Sequence, residues 1–117
     1  MASSQNSVDF ILEQIAGAGV VSAKKMFGEY ALYCDGKVVA LICDDQLFVK
    51  PTLAGKVFIG IDACVEEVPY AGAKPYLFIS GEKWEENEWL TTLIKISATE
   101  LPFPKIKRPK HNKKSEM

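Results

Sequence analysis

The chain is expected to fold as an α+β domain: an antiparallel β-sheet meander packed by an N-terminal and a C-terminal helix, in two layers. Three observations predict this. Apolar residues recur at helical spacing near both ends, at Val8, Ile11, Leu12 and Ile15, and again from Trp89 to Leu101. Between them, three short apolar runs rich in β-branched and aromatic residues are joined by two acidic tight turns. The length of 117 residues, with 48% hydrophobic and 25% charged, suits one globular domain.

The elements follow in order. Residues 1–6 are small and polar and are expected to fray. Ser7 precedes the first apolar stripe and is expected to cap a helix over 7–18, with Asp9 in the turn that the helix dipole favours for negative charge. Gly17 and Gly19 end it. The run "SAKKMF" is expected to be an edge strand or a short connection, with Gly28 marking a bulge or bend. Strands near 28–34, 37–43 and 46–50 form the meander. Asp35-Gly36 suits a type I′ turn, whose two central residues both need positive φ. A two-residue turn there pairs Cys34 with Lys37, Leu32 with Val39, Tyr30 with Leu41 and Gly28 with Cys43. In that register Cys34 and Cys43 share a face but lie about 20 Å apart, too far to bond.

The same register predicts the two faces. One collects Tyr30, Leu32, Val39, Leu41 and Phe48. The other collects Ala31, Tyr33, Val38, Ala40, Ile42, Leu47 and Val49. Neither face is polar, whereas a sheet with one wet face alternates apolar and polar residues. Both faces are therefore expected to be covered. After Pro51, "TLAGKVFIGID" opens with a short helical turn. A loop with Pro69, Gly72 and Pro75 leads to a strand at about 76–80. The last helix starts after Trp84, carries Glu85, Glu86 and Glu88 in its first turn, and stops at Pro102.

Charge divides the chain. Residues 1–101 hold eight lysines and fourteen acids, a net of −6, while residues 102–117 carry +5. With three prolines and few apolar residues, 102–117 reads as a disordered basic tail behind a domain over 7–101. No apolar run reaches the roughly 18 residues of a membrane span, and no secretory signal is visible at the start. Three cysteines, Cys34, Cys43 and Cys64, show no paired spacing for disulfides or zinc, and the one histidine, His111, lies in the tail. Free thiols without metal, in the cytoplasm, are the expectation.

The usual catalytic patterns are missing. There is no phosphate-binding glycine loop and no nucleophile elbow, and a histidine-dependent triad would have to borrow His111 from the tail. The chain reads as a non-enzyme without cofactor. Asp44-Asp45 and Glu66-Glu67 fit solvated turn and surface acids better than a cation site. Two groups remain as candidate contacts. Lys50, Lys74 and Tyr76 flank strand ends and are candidates for a ligand or a partner. Lys105, Lys107, Arg108, Lys110, Lys113 and Lys114 are candidate nucleic-acid contacts in the tail.

From Ser22 to Thr52 the sequence resembles the N-terminal domain of the TfoX/Sxy family of bacterial competence regulators. Lys25, Met26, Phe27, Gly28 and Tyr30 match its K-M-F-G-x-Y motif, and Tyr33, Asp35 and Gly36 match the turn that follows. Ala40 to Ile42, Asp44-Asp45 and Leu47 to Lys50 match the next strands and turn, and the likeness extends over about 7–103. The resemblance implies a fold similar to secretion chaperones, in a stand-alone member without the helical C-terminal domain of the full-length regulators. It implies a coactivator-like role and supplies no catalytic residues. The function expected is a non-enzymatic, transcription-related protein-binding module, docking a partner or a second copy through a sheet face. The alternatives are weak nucleic-acid binding through the tail and a small-ligand protein.

Overall fold

The computed structural model describes residues 4–26 and 29–102. Helix α1 spans Gln5–Gln14, ends in a 3-10 turn at Ala16–Ala18, and leads to β1 (Val21–Met26). Strands β2 (Glu29–Cys34), β3 (Lys37–Cys43) and β4 (Gln46–Val49) form the meander. Helix α2 (Leu53–Ile59), a 3-10 turn at Ile61–Ala63, β5 (Glu66–Glu67) and β6 (Tyr76–Ile79) follow. The chain then forms the one-turn helix α3 (Gly81–Trp84) and α4 (Asn87–Glu100). All strand pairs are antiparallel, in the order β1-β2-β3-β4-β6-β5. The α+β architecture is the one the sequence predicts, with Ser22 to Met26 in edge strand β1; Phe27 and the bend expected at Gly28 lie outside the described residues.

Helix α1 starts two residues ahead of the expected position because Ser4, not Ser7, is its cap. The Ser4 hydroxyl accepts from the Ser7 amide at 3.2 Å, and the Ser4 amide in turn donates to the Asp45 carboxylate at 2.7 Å. The first helix is thereby tied to the β3–β4 turn. Its other end is tied to α4: the Gln14 carbonyl accepts from Asn87 Nδ2 and from the Thr91 hydroxyl, each at 2.7 Å.

Both tight turns have the backbone that the acidic residues were expected to supply. Asp35 and Gly36 have φ of 52° and 84°, and Asp44 and Asp45 have 54° and 57°. Asp tolerates this left-handed region better than most residues, and glycine has no Cβ to clash there. Cys34 pairs with Lys37 as expected. Beyond Tyr33↔Val38, however, the register shifts. Leu32 pairs with Ala40 rather than Val39, and Tyr30 with Ile42 rather than Leu41. A β-bulge leaves Val39 without a partner across from it on β2.

The bulge corrects the expected faces. Val39 and Ala40 are consecutive, yet both are buried in the helix-covered core. From there the alternation runs in the opposite phase. Ile42, Leu47 and Val49 join Tyr30 and Leu32 under the helices, while Leu41 and Phe48 turn to the other side with Ala31. Cys34 and Cys43 consequently lie on opposite faces rather than on one. The two thiols are thus kept apart by face as well as by their distance along the strands.

Helices α1 and α4 cover the main core. Leu90, Leu93, Ile94 and Ala98 of α4 pack in one core with Val8 and Ile11 of α1, Ile15 at its C-cap, and the inner strand residues. Full burial of a leucine or isoleucine side chain contributes about 1.5–3 kcal/mol, so this seam holds the layers together. On the second face Phe48 and Phe78 are register partners with ring centroids 5.8 Å apart. Ala31, Leu41, Cys43 and Phe48 are buried at its centre, with Tyr33, Val38, Tyr76 and Phe78 packed around them.

Candidate functional site

The most distinctive surface lies on α2 and the chain that follows it. Helix α2 is apolar apart from Lys56. Its inner side carries Phe58 and Ile59, and the Phe58 ring lies 5.6 Å from that of Trp89. Gly55 packs closely against Ser97 and Leu93 of α4. A Cβ at Gly55 would sit 3.0 Å from Thr52 Oγ1 and 3.1 Å from Ser97 Oγ, so those two hydroxyls would have to give way by a few tenths of an ångström. Ser97 Oγ is buried there and has no hydrogen-bond partner among the described residues. Once α2 docks by this side, its other side points away from the core. Leu53 and Val57 stand one turn apart and are 67% and 62% exposed. Ile61, Val65 and Val68 continue the trend at 59%, 51% and 51%. Single exposed apolar residues are ordinary, but a run of five within sixteen positions is not.

The N-terminus of α2 is held from the far end of α4. The Glu100 carboxylate accepts from the amides of Leu53 and Ala54, each at 2.9 Å, and the Thr52 hydroxyl accepts from the Gly55 amide at 2.9 Å. Glu100 therefore satisfies two amides that the helix itself cannot pair. At the same end of α4, Lys37 Nζ donates to the Ala98 carbonyl at 2.8 Å.

Lys50, Lys74 and Tyr76, three candidates from the sequence, are brought together. With Pro51, Pro75, Glu66 and Leu101 they line an open depression of about 500 Å³. The sheet explains the meeting. β4 and β6 are antiparallel neighbours, with Val49 opposite Leu77, so the end of one strand lies beside the start of the other. Glu66 is 3.5 Å from Lys56 Nζ, whereas among the described residues neither Lys50 nor Lys74 has an ion-pair partner. Burial raises the Tyr76 phenol, and nearby Tyr70 and Cys43 add to the shift, so it stays a neutral hydroxyl. The six tail candidates, Lys105 to Lys114, lie outside the described residues.

Another cavity, of about 340 Å³, opens on the second face between Met26, Glu29, Tyr30, Leu41, Cys43 and Tyr70. Its thiol is not poised for chemistry. Burial, with a smaller contribution from Glu29, pushes Cys43 up to about 11. Cys34 is also raised, by burial first and Asp35 second, against a smaller lowering by Lys37. A thiol held protonated is a weak nucleophile and a poor metal ligand. Among the described residues no cluster of histidine, cysteine or acidic side chains could hold a metal, and no helix is long and apolar enough to cross a membrane.

The profile of the TfoX N-terminal domain matches residues 13–101. The chain belongs to that family. It is also 36% identical over 110 residues to an uncharacterized 12.7 kDa protein in the trpE 5′ region of Spirochaeta aurantia, covering 94% of this chain and 93% of that one. Within the family motif, Lys25 and Met26 close β1 and Tyr30 sits in β2, where its hydroxyl donates to Gln5 Oε1 at 3.1 Å. Phe27 and Gly28 lie outside the described residues. The motif thus spans the β1–β2 connection and helps to fasten α1 to the sheet. The exposed stripe of α2 had no counterpart in the sequence reading, although Leu53, Val57 and Ile61 recur every fourth residue.

Proposed function

We propose that this TfoX-type domain is a non-enzymatic protein-binding module that docks a partner on the apolar stripe of α2. The observation that carries the reading is the run of exposed Leu53, Val57, Ile61, Val65 and Val68. A run of exposed large apolar side chains of this kind supports a protein contact. The sheet face first expected to serve is less suited, because Leu41, Cys43 and Phe48 at its centre are already buried. A second copy of the chain remains one candidate occupant, now through α2. The buried, raised thiols of Cys34 and Cys43 support the non-enzymatic reading and a reducing, cytoplasmic setting. Membership of the TfoX family supports a transcription-related partner.

The test is site-specific photo-crosslinking in the native host from Val57, with Phe10 on α1 as an exposed apolar control. A discrete product from Val57 and none from Phe10 supports the reading, and sedimentation equilibrium then separates self-association from a different partner. Equal yields from both positions would remove α2 as the docking surface.

A further inference from the structure

A cavity opens beside the α2 stripe, where the chain after α2 faces β6 and the corner between α3 and α4. Ile59, Val65, Phe78, Ile79 and Trp89 supply its apolar walls, and its volume is about 290 Å³. Val65 also belongs to the exposed stripe, so stripe and cavity form one continuous apolar surface. Sites for small molecules run to roughly 300–1,000 Å³, and this cavity is smaller. It suits one large apolar side chain of a partner, the kind of anchor that dominates a protein interface. The surroundings are acidic. Asp62, Glu66, Glu82 and Glu88 adjoin the lining residues Ala63, Val65, Lys83 and Trp89 in sequence, and all four acids are exposed. The neighbouring lysines do not offset them. Lys56 lies 3.5 Å from Glu66. Lys83 lies 3.4 Å from Glu86 and sits over the Trp89 ring, 5.0 Å from its centroid. Among the described residues, Asp62, Glu82 and Glu88 have no ion pair.

We propose that the partner of the α2 surface is a protein that docks through a cationic segment. The segment seats one large apolar side chain in this cavity and sets lysine or arginine over Asp62, Glu82 and Glu88. The inference rests on the docking reading of α2 and adds the chemistry of the partner. A second copy of the chain fits less well. A two-fold contact brings the same patch of both subunits together, which would set these acids against one another. Charges around an apolar centre steer encounter and exclude wrong partners more than they add affinity. Binding is therefore expected to weaken as salt rises, while the buried anchor is screened little.

Photo-crosslinking in the native host from Val57 and from Val65, with the attached segment mapped by mass spectrometry, reads that chemistry. Both positions are expected to attach to one segment of net positive charge that contains a large apolar residue. A dye-labelled synthetic copy of that segment is then titrated with the full chain and followed by anisotropy. Glu82→Gln with Glu88→Gln is expected to weaken binding by roughly tenfold at low salt, since each exposed ion pair gives about twofold to fivefold. Asp9→Asn with Glu13→Gln removes the same charge from α1 and is expected to leave the affinity unchanged. Ala63→Trp, which fills the cavity, is expected to abolish binding, and melting curves confirm that the variants fold. Replacing the segment's apolar anchor by alanine should do the same without altering the protein. The proposal is overturned if the mapped segment is neutral or acidic, if it belongs to this chain itself, or if Val57 gives a product and Val65 none. It is also overturned if the two charge variants weaken binding equally, or if loss of the anchor changes nothing. A neutral or acidic segment attached at Val57 leaves the docking reading standing and removes only the cationic partner, whereas no product from Val57 removes both.

Discussion

The two halves of the molecule use apolar residues in opposite ways. From α1 to β4, and again in α4, nearly every large aliphatic side chain is driven inward, with Ile11, Ile15, Leu32, Ile42, Leu90 and Leu93 fully buried. Between Leu53 and Tyr70, side chains of the same chemistry stand in solvent. Hydrophobicity alone does not distinguish the two halves. The difference comes from geometry: the sheet and α4 offer a broad surface to bury against, whereas the seven-residue α2 touches α4 along only one side. Residues that cannot reach the core become surface, and a surface rich in valine, leucine and isoleucine is suited to a partner.

The comparison breaks or sharpens first through truncation. Leu93→Ala removes a fully buried side chain from the α4 seam and is expected to cost about 2–5 kcal/mol, read from denaturant unfolding. Val57→Ala on α2 is expected to change stability by no more than about 0.5 kcal/mol. If Val57→Ala costs as much as Leu93→Ala, the stripe is part of the core and the distinction fails.

Alkaline titration tests the closure of the second face. The Cys43 thiol has an ordinary value of 9.0 and is raised to about 11 in the fold. A raised value means that the folded state favours the protonated thiol. Its contribution is therefore complete below about pH 9 and is lost as pH rises through about 11. Stability is expected to fall across that window, and Cys43→Ala is expected to flatten part of the fall. An unchanged pH profile in the variant would mean that water reaches the thiol freely and that the face is open after all.

The smallest effect concerns the strap between the two halves. Glu100→Gln removes the charge that receives the Leu53 and Ala54 amides. A carboxylate at a helix N-terminus contributes about 0.3–1 kcal/mol. Hydrogen exchange is expected to quicken at those two amides while α1 stays protected. Uniform quickening would show that α2 has no independent stability to lose.

How much was legible in the sequence follows the same division. The Asp-rich turns, the helical stripes and the central strands depend on neighbours a few residues away, so local pattern was enough to place them. The meeting of Lys50 with Lys74 follows from β4 and β6 becoming neighbours, which no local signal encodes, although both lysines stood out as strand-end cations beside prolines. Ser4 was passed over as a cap because Ser7 carries the same hydroxyl next to the apolar stripe, and the tie of the Ser4 amide to Asp45 joins residues far apart in sequence. The exposed stripe was missed because an apolar residue every fourth position looks the same whether the helix shows that side to a core or to water. The bulge at Val39 was missed because alternation with no polar residues has no phase to read.

That bulge has a wider meaning when a strand is regarded as a message read in twos. Val39 acts as a frameshift within β3. Ahead of it, alternate letters assign Val38 to one layer; behind it, the same rule assigns Ala40 and Ile42 to the layer that plain counting would have denied them. β4 inherits the frame through its two-residue turn, so Leu47, Phe48 and Val49 are sorted by a decision taken before the turn. The same residue holds the Lys50 amide through its carbonyl. A chain edited to omit Val39 would keep its composition almost intact, yet it would send Phe48 to the helices and Ile42 outward. It would also lose the register that sets Lys50 beside Lys74.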